Sequence, residues 1–199
     1  MVVAKVIMDK SGGLEYLRNA IWYLKYDTEC HMKKNDDGEW EHVVRDDFVM
    51  LNGWGVNWGS LLDVYKQMVM VKQWYGRERL NSLIHIVVCF DKNNGLKTCV
   101  ENCRLFSREI GEVWGYQNIW ALHRDEKRMT WYGSYVECYH AHFLLNTVSC
   151  VDGKPVHVNR SFVWRMINAL KIITEDYVNG IIDNKMTGKE WNIPLKHYD

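Results

Sequence analysis

The chain has 199 residues, 47% of them hydrophobic and 25% charged, with lysine plus arginine balanced by aspartate plus glutamate at 25 each. That length fits a single domain over residues 1–199 with a substantial core, and is compatible with the N-terminal domain of a longer protein. Zero net charge excludes nucleic-acid binding by bulk electrostatics, and no run is long and apolar enough for a membrane span.

Residues 2–8 read as a short β-strand, closed by a glycine-containing loop at 9–13. From Leu14 the apolar residues Leu14, Leu17, Ile21 and Leu24 recur at three-and-four spacing, which predicts an amphipathic helix. Residues 27–59 are irregular, with short strands expected near 40–51 and a loop at 53–59. Ser60 is placed to cap a helix reaching about Tyr75. Residues 82–90 form a strand whose apolar face is Ile84, Ile86, Val88 and Phe90, with His85 on the other face. A turn at 91–95 leads to a helix over 96–114. A strand follows at 117–123, then a strand pair over about 129–148 that turns near Gly133. Residues 160–177 form a last amphipathic helix, and the tail after Asn184 is weakly patterned.

This order predicts an α+β fold: a mostly antiparallel sheet with helices on one face and histidines on the other. The six cysteines show no paired CxxC spacing and read as reduced, mostly buried thiols of a cytoplasmic protein.

The chemistry concentrates in Glu137-Cys-Tyr-His-Ala-His-Phe-Leu-Leu-Asn-Thr-Val-Ser149. Residues two apart on a strand share a face, with roughly 6.6 Å of rise between them. His140 and His142 can therefore converge on one cation while Tyr139, Ala141, Phe143 and Leu145 face a core. His123 ends the preceding strand and supplies a third imidazole, with Asp125 available to receive its second N–H. Three neutral nitrogen ligands leave coordination positions open, as a catalytic metal requires.

Three motifs in order then resemble the conjugative relaxases, mobilisation nucleases of the HUH endonuclease superfamily, with the P-type class nearest. The His-x-Asp and His-x-His segments resemble the family's third motif. Leu83-Ile-His-Ile-Val-Val-Cys-Phe-Asp91 resembles the second, and Leu17-Arg-Asn-Ala-Ile-Trp-Tyr-Leu24 the first. The resemblance covers about residues 3–180. It implies an HUH endonuclease-like fold and a bacterial cytoplasmic enzyme that nicks and rejoins single-stranded DNA at a transfer origin, with accessory and coupling proteins as partners. It further implies a divalent ion, Mg2+ or Mn2+, on His123, His140 and His142. Tyr23 would attack the phosphate to form a 5′-phosphotyrosyl bond and free a 3′ hydroxyl, with His85 and Asp125 in supporting catalytic roles.

Two departures stand out. Sixteen residues separate His123 from His140, more than in relatives, and Cys138 occupies a position where relatives often carry a further histidine. Arg77, Arg79, Lys127, Arg128 and Trp131 are the candidate DNA contacts, with Trp54 and Trp58 as further candidates for base stacking. Two other functions remain open at this point. One is a rolling-circle replication initiator, which shares the His-x-His strand but usually places its tyrosine helix after it. The other is a non-catalytic, metal-stabilised DNA-binding module.

Overall fold

A computed structural model describes residues 1–8, 13–27, 33–34, 37, 39–80, 83–125, 128–129, 135–136, 138–176, 178–184 and 189–193. In chain order these form β1 (Val2–Met8), α1 (Leu14–Tyr23), β2 (Lys33–Lys34), β3 (Trp40–Glu41), β4 (Phe48–Trp54), α2 (Leu61–Trp74), β5 (Leu83–Cys89) and α3 (Leu96–Arg108). Then come β6 (Asn118–Arg124), β7 (Arg128–Met129), β8 (Tyr135–Val136), β9 (Tyr139–Asn146), α4 (Arg160–Thr174), β10 (Val178–Asn184) and β11 (Lys189–Ile193).

The main sheet runs in the order β11-β10-β1-β5-β9-β6-β4. Strands β1, β5, β9, β6 and β4 are antiparallel throughout, and the one parallel pairing in the sheet among the described residues is β1 with β10. The expected α+β class and antiparallel character therefore hold. The alternation argument holds too: Ile84, Ile86, Val88, Ala141, Phe143 and Leu145 are all buried in one cluster with Phe106 of α3 and Val163, Met166 and Ile167 of α4.

The helices depart from the expectation in one respect. Of the described helices, only α3 and α4 cover the face away from the histidines. Leu17 and Ile21 of α1, Leu24 just after it, and Leu61, Val64 and Met68 of α2 pack on the histidine face, against Leu83, Ile119, Ala121 and Leu144. Sequence periodicity shows that a helix has an apolar stripe but not which sheet face receives it. Each fully buried leucine or isoleucine contributes about 1.5–3 kcal/mol, so α1 is firmly seated beside the histidines rather than loosely appended.

Local chemistry sets the element ends. Ser60 Oγ accepts the Asp63 N–H at 3.2 Å, as its capping position predicts. Asn159 caps α4 through Phe162 N–H at 2.9 Å. Helix α4 stops at Thr174, before the expected end, because Glu175 adopts a left-handed conformation at φ 52°. Helix α3 gives way at Glu109–Val113 to a π-helical turn, and there Gly111 lies against the Trp54 indole, leaving no room for a Cβ. Trp54 is thus packed in place, as the last residue of β4 rather than part of a free loop. The tail after Asn184, read as weakly patterned, supplies β11, which pairs with β10 at Val178–Asn184, a strand the sequence reading did not assign and which pairs in turn with β1.

Candidate active site

His123 on β6 and His140 on β9 are directly opposed, and His142 lies one pleat further along β9, opposite Ala121. All three point to the same face, and one ligand atom from each lies within 4.8 Å of the others. Their ring centroids are 5.0–5.3 Å apart. The sequence brings them together because β6 and β9 are antiparallel neighbours in a register that aligns His123 with His140.

The second nitrogen of each ring is occupied, which identifies the atom left for an ion. His123 Nε2 lies 2.8 Å from the Leu24 carbonyl. A carbonyl only accepts, so Nε2 carries the proton and Nδ1 presents a lone pair. That Nδ1 is buried without a hydrogen-bond partner, and Asp47 Oδ2 is 3.9 Å away, beyond hydrogen-bond reach. His140 Nδ1 donates to Asp125 Oδ1 at 2.8 Å, which directs its Nε2 inward. His142 Nδ1 is 2.7 Å from His85 Nε2, and this again leaves Nε2 for the cluster. Carboxylate, carbonyl and imidazole partners of this kind fix the tautomer and orientation of metal-binding histidines. An orphaned buried lone pair amid convergent imidazoles fits a cation.

Burial lowers the His123 pKa, opposed in part by its bond to Leu24. Burial, reinforced by His85, His140 and His123, lowers that of His142 to about 2. Both rings are therefore neutral at ordinary pH, the form that ligates.

Asp125 differs from its expected placement. It orients His140 rather than His123, because its backbone N–H pairs with the Cys138 carbonyl at 2.8 Å and seats it beside the start of β9. Cys138 is not in the ligand cluster.

Tyr23 is the last residue of α1, and its half-buried ring stands edge-on to His142 at 5.9 Å between centroids. It lines a cleft of about 1020 Å³ with His85 and His142, and Tyr16 and Tyr26 line the same cleft. Arg45 lies over its ring, 4.6 Å from Cζ to the centroid. Through Nε and Nη2, Arg45 also forks onto Asp47 at 2.8 Å each. The bond to Asp47 raises the Arg45 pKa, with Tyr23 adding to it. The Arg45 bond is also the main cause holding the Asp47 carboxyl below the usual carboxylate range.

Sequence reading missed Arg45 and Asp47. They belong to the stretch before β4 that carries no periodic pattern, and the only local signal is a charged Arg-Asp-Asp turn preceding a strand.

The candidate DNA contacts are less concentrated. Exposed Arg77 and Arg79 follow α2, and Arg79 lines a separate cavity of about 620 Å³ with Leu83, Thr147 and His157, at the opposite end of β5 and β9 from His140. Arg128 is on β7, while Lys127 and Trp131 lie outside the described residues. Asn146 shares the His140 face of β9 but is committed to packing, donating to the Met68 carbonyl and Gln117 Oε1 at 3.0 Å.

The family described as relaxase, MobA/VirD2-like, nuclease domain, matches residues 46–178, about two thirds of the chain. The chain belongs to this relaxase family. No curated protein and no solved structure matches it. The matched segment of the relaxase holds His85, His123, Asp125, His140 and His142. It leaves out α1 with Tyr23, and it begins one residue after Arg45. A relaxase nuclease domain acts on DNA, and the histidine cluster can hold a metal ion. No helix among the described residues is long and apolar enough to cross a membrane.

Proposed function

We propose that this relaxase nicks one DNA strand at the transfer origin of a mobile element by forming a covalent 5′-phosphotyrosyl intermediate on Tyr23. The observation that carries the reading is the meeting of Tyr23 with the three-histidine cluster: the ring closes on His142 from a helix anchored by Leu17 and Ile21. In this reading the Tyr23 phenol oxygen forms a bond to the scissile phosphorus, and the bond from phosphorus to the 3′ oxygen breaks, leaving a 3′ hydroxyl. The phosphodiester energy is retained in the tyrosyl ester, so rejoining needs no nucleotide cofactor.

A phenol is a weak nucleophile at its free pKa of about 10. Arg45, above the ring, favours the developing phenolate charge. His123, His140 and His142 would hold a divalent cation, which supplies electrostatic stabilisation of the phosphate when bound. Its donor set is all imidazole among the described residues, which favours a transition ion such as Mn2+ over oxygen-preferring Mg2+. Asp125 and His85 orient the ligands from behind. With three imidazoles and no thiolate among the described residues, the cluster would leave coordination positions open, as a catalytic centre needs, rather than form the closed set of a structural one. This favours the nuclease over a metal-stabilised binding module.

The test is an adduct assay with labelled single-stranded oligonucleotides spanning the element's own transfer origin, in Mn2+ or Mg2+. Wild type should form a denaturant-resistant protein–DNA adduct, as should Tyr16→Phe and Tyr26→Phe. Tyr23→Phe should fold and bind metal but form none. A full adduct yield from Tyr23→Phe would move the nucleophile to another tyrosine.

A further inference from the structure

The cleft at Tyr23 does not end at α1. A second cavity of about 610 Å³ adjoins it, floored by Phe48 and Leu51 and rimmed by Trp58. Trp22, Tyr26 and His42 line both, so the two form one trough that passes from the histidines across the end of α1 to the start of α2. Aromatic side chains recur along it: Tyr16, Trp22, Tyr23, Tyr26, Phe48 and Trp58. The Tyr26 and His42 rings lie 5.0 Å apart at 31°, close to stacked. Trp58 is 44% exposed, and Trp22 is half-buried.

Cations accompany the rings. Arg18 Cζ lies 5.6 Å from the Trp22 centroid and Lys25 Nζ 5.4 Å from that of Tyr26. Asp27 is the one carboxylate lining the trough among the described residues.

We infer that this trough is a nucleobase platform, where bases of the single strand next to the scissile phosphate stack on Trp22 and Trp58 while Arg18 and Lys25 meet its phosphates. The inference rests on the nuclease reading, since that reading puts a single strand at Tyr23. Two observations then select the occupant. The trough is continuous with the cleft that holds the candidate nucleophile, and it alternates π-faces with cations, the combination that binds single strands with little sequence preference. A chain with zero net charge needs such a local device, because its overall field supplies no attraction. The platform is also distinct from Arg79 after α2, which borders another cavity.

Trp58 gives the cleaner variant, because its exposure means that removing it spares the core. Binding of a fluorescein-labelled random single strand of about 12 nucleotides is measured by anisotropy without divalent ions, for wild type, Trp58→Ala and Trp58→Phe. The same is done with a strand carrying abasic residues. One stacked base is worth about 1–3 kcal/mol, so Trp58→Ala should weaken binding by roughly 5- to 150-fold, and Trp58→Phe should recover most of it. Abasic substitution should weaken wild type but cost Trp58→Ala much less, because the stacking partner is already gone. Unchanged affinity in Trp58→Ala, an equal abasic penalty in both proteins, or no binding by wild type would overturn the platform. The adduct assay reports separately on Tyr23: an adduct at saturating oligonucleotide with a neutral Trp58 removes the platform and leaves the nuclease standing.

Discussion

The guanidinium of Arg45 lies over the ring of Tyr23 while its Nε and Nη2 hold both oxygens of Asp47, whose Oδ2 is 3.9 Å from His123 Nδ1. One side chain thus ties the tyrosine of α1 to the histidine cluster of the sheet. A cation over a desolvated aromatic ring contributes about 1–2 kcal/mol. Arg45→Met should therefore slow adduct formation about 5- to 30-fold with divalent-ion affinity little changed, and Arg45→Lys should recover only part, lacking the fork. Single-turnover kinetics alongside metal titration checks this; an unaltered rate in Arg45→Met would reduce Arg45 to a structural ion pair.

The two outer partners of the histidines make a second prediction. Asp125 fixes His140, and His85 fixes His142. Losing such a partner typically costs 10- to 100-fold in metal affinity. Asp125→Asn and His85→Ala should each weaken Mn2+ binding within that range by calorimetry, whereas His123→Ala should abolish it. If His85→Ala binds Mn2+ normally yet cleaves poorly, His85 acts on the DNA instead.

Lys72 gives the pH dependence. Its side chain is fully buried, hydrogen-bonded to Thr147, and burial lowers its pKa from 10.5 to about 8. Below pH 8 both folded and unfolded states hold the proton, and the folded state bears the whole cost of a buried charge. Between pH 8 and 10.5 the unfolded chain keeps the proton and the folded one releases it, so this group's contribution to stability rises with pH, by about 3 kcal/mol across the window. Denaturant titrations should show that rise in wild type and a flatter profile in Lys72→Met. Parallel profiles would show that Lys72 titrates normally.

Gly111 makes a packing prediction. Alanine would gain up to about 1 kcal/mol in helix propensity, but its Cβ would enter the Trp54 ring. Overpacking costs about 1–3 kcal/mol, so the clash wins and Gly111→Ala should lower Tm. Restored stability in Gly111→Ala with Trp54→Leu would confirm the cause.

What could be read from the sequence was whatever obeys a short period. The alternation in β5 and β9 fixed which residues face the core, and His140 with His142 followed from the same period of two. The stripe of Leu17, Ile21 and Leu24 announced a helix but not its sheet face, because that depends on long-range packing. The pairing of Asp125 was misassigned for a similar reason: nearness in sequence favoured His123, whereas the antiparallel register puts Asp125 at the start of β9. Arg45 and Asp47 have no periodicity, and only the fold brings them beside Tyr23. Strands β10 and β11 were missed because their segment alternates poorly and is defined by its partner β1.

The position of β1 has a consequence for how the molecule is made. Val3 sits opposite Cys89 and Val2 beside Val178, so the first strand lies inside the sheet between partners far along the chain. During synthesis β1 emerges long before either neighbour, and it can take its place only once β5, and later β10, have left the ribosome. Such non-local closure is slow. Tyr23 rides on the helix that follows β1, so the residue we assign as nucleophile is translated before Leu83, Ile119 and Leu144, the strand residues on which that helix packs. A chain cut short before β9 would carry the tyrosine without His140 and His142.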